Sequence, residues 1–165
     1  MSRLGGKGSR TLVVVLSVVV AGLLAGTGWL GHRVWQNDRD ADDWAQARQS
    51  ARQMGVNLLT LDSKTAQQDL DRIVSGSTGD LKDELSSQSK VFLDQLNKTK
   101  AQSTVTDVEA AVVSIDDDSA EVMVSLNGTV TNQKVKNGVT RAYRYLMQMT
   151  KVDDRWLVSQ LEMVP

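Results

Sequence analysis

The sequence predicts an α+β protein: an N-terminal transmembrane helix, then about three helices packed on a four-stranded antiparallel curved sheet. Three observations carry this. The twenty residues from Thr11 to Leu30 contain no charge, the chain from Asp43 to about Asn97 repeats its apolar positions at steps of three and four, and beyond Gln102 β-branched and aromatic runs alternate with short turn signals. Helices in one block followed by strands in another give an α+β fold with the helices packed on one face of the sheet. At 165 residues, 41% of them hydrophobic, the length suits one domain plus a membrane span.

The apolar run "TLVVVLSVVVAGLLAGTGWL" rises about 1.5 Å per residue as a helix and so reaches about 30 Å, the hydrocarbon thickness of a bilayer. A cleaved signal peptide would carry a shorter run, about 7–15 residues, and a small-residue cleavage site. Here the run ends in bulky Trp29, Leu30, Val34 and Trp35, and Trp suits the membrane interface. Residues 11–35 are therefore expected to form an uncleaved signal anchor. Arg3, Lys7 and Arg10 precede it, whereas Arg33 and Arg39 follow it among Asp38, Asp40, Asp42 and Asp43. That bias keeps the tail, residues 1–10, in the cytoplasm and places everything after Trp35 outside the cytoplasmic membrane. The absence of Cys means the outer part needs no disulfide there. Within the span, Gly22 and Gly26 with Ala21 and Ala25 form a small-residue face suited to close packing against another membrane helix.

Residues 36–165 hold 15 of the 19 Lys and Arg and all 20 Asp and Glu, a formal charge of −5. No nucleic-acid partner is expected, because such binding is carried largely by basic charge that neutralises phosphates.

A membrane-proximal helix is predicted within residues 36–62, with Trp44, Ala47, Ala51, Met54, Leu58 and Leu61 on one face. The α+β domain proper follows over residues 63–165. "LDSK" interrupts the first helix; Asp62 or Ser63 is placed to cap the next, and Thr65 with Gln68 fits capping-box spacing. In that second helix Leu70, Ile73 and Val74 share a face, leaving Asp69 and Arg72 to pair on or near the solvent side. "GSTGD" then supplies a turn through Gly76 and Gly79, and Ser77, Thr78 or Asp80 starts a third helix carrying Leu81, Leu85, Phe92 and Leu96. Four strands are predicted next, at Thr104–Ile115, Ala120–Val130, Val139–Val152 and Arg155–Val164, separated by "DDDS", "NQKVKNG" and "DD". Short connections make this an antiparallel meander. In the second strand Ala120, Val122, Val124, Leu126 and Val130 share one side; in the third, Tyr143, Tyr145, Met147 and Met149 lie opposite Ala142, Leu146 and Val152.

Several chemistries are set aside. There is no Cys nucleophile, and the sole histidine, His32, sits at the expected membrane boundary rather than in the domain. "DDDS" at Asp116–Ser119 lacks the spacing, turn Gly and closing Glu of an EF-hand loop and reads as a solvated hairpin turn. Asn97 and Asn127 begin formal glycosylation sequons, relevant only to a eukaryotic secretory route. The stretch Leu61–Leu81 gathers Asp62, Asp69, Asp71, Arg72 and Asp80 among hydroxyls. Acid–base work would need an apolar enclosure around one carboxylate; caps and surface pairs are the expected reading. No catalytic, metal or cofactor site is predicted.

The segments "VNLLTLD" (Val56–Asp62), "DLDRIVSGSTGDL" (Asp69–Leu81) and "KVDDRWLVSQLEMVP" (Lys151–Pro165), behind a basic tail, one span and an acidic stretch, resemble the actinobacterial Mce-associated membrane proteins. The residues that carry the resemblance as a structural motif are Asp62, Asp69, Asp71, Arg72, Gly79, Arg155 and Trp156; Leu81 departs from it, since members often have an aromatic there. The resemblance implies a nuclear-transport-factor-like domain and a non-enzymatic accessory subunit of an Mce lipid importer. Mce proteins, their permease subunits and membrane lipids are then the partners, with a homo-oligomer left open. Two alternatives stay beside it. One is a lipid-binding module lined by Phe92, Leu96, Met123 and Met147; the other is a bitopic assembly factor of a secretion channel.

Overall fold

The computed structural model describes residues 41–165. The expected tail, the anchor and its Gly22–Gly26 face lie outside the described residues. Among those described, no helix is long and apolar enough to cross a membrane. Helix α1 runs over residues 41–59, α2 over Ala66–Ser75 and α3 over Gly79–Thr99. Strands β1 (Gln102–Ile115), β2 (Ser119–Thr131), β3 (Val139–Val152) and β4 (Arg155–Met163) follow. They pair in sequence order, every neighbour antiparallel, so the predicted meander is the observed one.

Alternation decides which sheet face is covered. Val122 lies opposite Met147, Val124 opposite Tyr145 and Ala120 opposite Met149. Because directly paired residues point to the same side, these side chains and Val108, Trp156 and Val158 form one apolar face, into which Ala47, Ala51, Met54, Leu59 and Ile73 pack. Irregularities between Val105 and Asp107, Val112 and Ser114, and Gln148 and Met149 insert unpaired residues, the usual means of bending a sheet around what it covers.

Helix α1 is part of this core. The sequence-based division after residue 62 separated it from the α+β domain, whereas Asp43–Pro165 form one unit. Small residues explain the closeness: a Cβ added to Gly55 would meet Leu126 Cδ2 at 2.8 Å and Val124 Cγ1 at 2.9 Å. On the facing strand, a Cβ on Gly128 would collide with Leu59 Cδ2 and lie 2.9 Å from the Thr104 carbonyl oxygen.

The sheet's β4 edge is covered by the α2–α3 connection. Thr78 N–H donates to the Val158 carbonyl (2.8 Å) and Val158 N–H to the Gly76 carbonyl (3.0 Å). Gly79 opens α3 at φ +53, a conformation that suits glycine. The β3–β4 turn, Asp153–Asp154, has φ of 48 and 59 at its two central residues. Positive φ at both is what a two-residue hairpin matching strand twist requires, and aspartate tolerates it better than most side chains.

Candidate interaction site

The carboxylates of Leu61–Leu81 divide into three environments. Asp69 is 1% exposed; its Oδ2 accepts from Asp62 N–H (2.8 Å) and the Thr65 hydroxyl (3.1 Å), and its Oδ1 from Arg72 Nη2. The expected solvent-side pair is therefore half right. Arg72 is half exposed, but its partner is in the interior. The capping box is not formed either: Thr65 spends its hydroxyl on Asp69 and makes no side-chain cap. Position explains both, since Ala66, Asp69, Leu70 and Ile73 are the buried residues of α2, and their i, i+3, i+4, i+7 spacing puts Asp69 on the apolar stripe.

Asp62 ties α1's end to the sheet. Its carboxylate accepts from Lys64 N–H (2.8 Å) and Gln102 Nε2 (3.0 Å), and beside it Ser103 N–H donates to the Leu61 carbonyl (2.8 Å). The Lys64 N–H, then the Gln102 amide, hold the Asp62 carboxyl below its usual range. Asp71 is exposed and, among the described residues, accepts only from Gln67 Nε2 at 2.8 Å. Asp80 sits exposed in the first turn of α3. The motif joins helix to helix to strand through Asp69 and Asp62, while Asp71 and Asp80 stay on the surface.

Arg72, Arg155 and Trp156 come together although 83 positions separate the first two. They line a cleft of about 510 Å3 between α1, the C-terminal end of α2 and the β3–β4 turn. Lys151 stands over the Trp156 ring at 5.7 Å and pairs with Asp43 of α1 at 2.7 Å, which bonds the far side of this region to the helix. Sequence reasoning placed Arg72, Arg155 and Trp156 in one family motif but did not bring them into one place.

The four residues expected to line a lipid pocket do not surround one cavity. Met147 lies under the helices opposite Val122, whereas Met123 pairs with Leu146 on the other sheet face. Phe92 instead lines a groove of about 310 Å3 between α2 and α3, with Leu70, Leu81, Leu85 and Val91; Leu96 is buried nearby in α3. Tyr143 and Tyr145, parallel at 6.4 Å, sit half-buried on the helix-facing side. Burial, then the Tyr143 charge, pushes the Tyr145 hydroxyl up.

Three helices on a curved four-stranded antiparallel meander define an α+β domain. The chain belongs to the family described as uncharacterized protein Rv1363c/MT1408-like, whose model matches residues 9–165. It is 26% identical over 159 residues to the uncharacterized protein Rv1363c of Mycobacterium tuberculosis, covering 94% of this chain and 61% of that relative, so it spans less than two thirds of its length. Among solved structures, an IcmL-like type IV secretion system protein from Legionella pneumophila is similar with a TM-score of 0.55 at 15% identity, covering 73% of this chain and 91% of that one. An Ntf2-like protein involved in plasmid conjugation gives a TM-score of 0.51 at 14% identity, covering 73% of this chain and 48% of that one.

Proposed function

We propose that the chain is a non-enzymatic, single-pass accessory subunit of a cell-envelope complex, its N-terminus cytoplasmic and its α+β domain on the outer side, supporting assembly of an Mce-type lipid importer. The observation that carries the scaffold reading is the seat of α1. Ala47, Ala51 and Gly55 seat that helix close against Val124 and Leu126, on the sheet face where a curved sheet of this kind would hold a substrate or lipid, which supports a structural role for the domain. The buried carboxylate Asp69, the one candidate for acid–base chemistry in that stretch, has its donors from Asp62, Thr65 and Arg72. Envelope placement draws on the uncharged run Thr11–Leu30 and the basic residues before it. Mce proteins and their permease are the partners this reading names.

A second reading, assembly factor of a secretion channel, is favoured by likeness to the type IV secretion system protein. Both predict what co-purifies. With a C-terminal tag at native expression level and mild detergent, recovery of Mce proteins and permease is the expected result. Secretion-channel components would move the assignment to the second reading, and the chain recovered alone as an oligomer would remove both. Native mass spectrometry of the recovered protein checks the lipid-carrier alternative, for which a retained lipid mass is required.

A further inference from the structure

We infer that the cleft between α1, the end of α2 and the β3–β4 turn docks an extended acidic peptide segment of a partner protein, an assignment that rests on the scaffold reading above. One wall is a row of amides on α1, Gln49, Gln53 and Asn57, with Gln53 Nε2 donating to Asn57 Oδ1 at 3.0 Å. Side-chain amides offer donor and acceptor together, the complement of a peptide group. The facing wall carries the cations. Arg72 is engaged with Asp69, while Arg155 is exposed and has no ion-pair partner among the described residues. A guanidinium so placed matches a carboxylate in a two-pronged geometry.

Trp156 supplies an independent sign. It is 3% exposed, it lines the cleft, and its Nε1–H is a buried donor without an acceptor among the described residues. Such donors are rare in folded proteins and call for a partner. The remaining lining decides between a peptide and a free anion. The C-terminal end of α2, at Ser75 and Gly76, and Asp154 border the same space, and the negative end of a helix disfavours a phosphate dianion. A peptide brings N–H groups of its own to meet Asp154 and the α1 amides, and places one carboxylate against Arg155.

The test pans the full chain in lipid nanodiscs against a random dodecapeptide phage library, with empty nanodiscs subtracted. Peptides enriched in Asp and Glu are expected, and a synthetic copy should shift the Trp156 indole N–H resonance. Arg155→Glu should weaken its binding by about tenfold or more, as loss of a charge-assisted contact does, as should replacing the peptide's own Glu by Gln. Gln49→Glu, on the exposed side of α1, gives the same loss independently should Arg155→Glu misfold. Neutral or apolar peptides, equal binding by both variants, or complete displacement by excess inorganic phosphate or acetate would overturn the assignment. Mce co-purification that survives Arg155→Glu overturns the cleft and leaves the scaffold standing. A wild-type chain that co-purifies nothing removes both.

Discussion

Helices α1 and α3 both pack against the core, yet they are held by opposite means. In α1 the residues Ala47, Ala51, Met54, Gly55 and Leu59 are buried within 19 described positions; in α3 a single residue of 21, Leu96, is buried. The difference is side-chain size at the interface. Alanine and glycine let α1's backbone approach the sheet until strand side chains meet it directly, whereas α3 rests on half-buried Leu81 and Leu85 and leaves Val91 70% exposed. Close approach makes a helix intolerant of added atoms at its interface; a loosely seated helix tolerates them.

The largest effect should follow from adding one methyl group where α1 ends. Gly128→Ala places its Cβ against Leu59 and, at 2.9 Å, against the Thr104 carbonyl, which belongs to the backbone and has no rotamer to yield. Overpacking of this kind costs about 3 kcal/mol, a fall in Tm of roughly 10 °C for a domain of this size. Gly55→Ala should cost less, about 1 kcal/mol, because its neighbours are side-chain methyls and alanine regains helix propensity. A thermal or urea melt in which Gly55→Ala proved the more damaging would show that α1, rather than β2, sets the spacing.

Next in size is Asp69→Ala. It strands the Asp62 N–H and the Thr65 hydroxyl and frees Arg72 to solvent, a loss of about 2–3 kcal/mol in a urea melt. Asp71→Ala, two residues along and exposed with one bond to Gln67, should stay within about 0.5 kcal/mol. Equal losses from the two would mean that α2 is held by its surface and not by the buried node.

The four-strand meander was legible because β-branched runs, turn signals and period-two alternation agreed with one another. Val122, Val124 and Leu126 on one side of β2 with Ser125 and Asn127 on the other admit a single register. What escaped was information that lives in pairs of distant residues. Nothing local marks Gly55 as the contact point for Val124, or Arg155 as a neighbour of Arg72. Asp69 is different: its place beside Leu70 and four before Ile73 already put it on the apolar stripe, but a charged residue was assigned to water by type rather than by position. Met123 was misplaced among the pocket residues for a similar reason, since its one-residue offset from Val122 reverses its face.

Acid should separate the ends of α1 and α3 further. Hydrogen bonds from Lys64 N–H and Gln102 hold the Asp62 carboxyl below its ordinary value of 3.8, which is the situation of a group whose folded pKa lies under its unfolded one. Its contribution is present above the unfolded value and lost as pH falls through the folded one. Asp62→Asn should therefore flatten the drop in Tm below about pH 4, while leaving Tm against pH unchanged in shape above about pH 6. An unaltered acid limb would assign that loss to other carboxylates.

The smallest effect belongs to α3's outer side. Val91→Glu replaces a side chain already in water, on the rim of the groove that also holds Phe92, Glu84 and Gln88. An exposed substitution away from caps and packed contacts changes stability by no more than about 0.5 kcal/mol. Phe92→Ala, half-buried in that groove, should cost about 1–2 kcal/mol, less than truncation of a fully enclosed phenylalanine, because little of its surround is closed and solvent fills what is removed. Neither change reaches Gln49 or Arg155, so peptide binding at the cleft should persist in both variants. Hydrogen exchange offers the finer reading: amides of Ser86–Gln95 should exchange faster than those of Ala51–Leu58, since only the latter helix is pinned by contacts that cannot loosen without moving a strand. Equal protection across the two helices would show that α3 is held as firmly as α1 by Leu81, Leu85 and Leu96, and that buried contact is not what sets local stability in this fold.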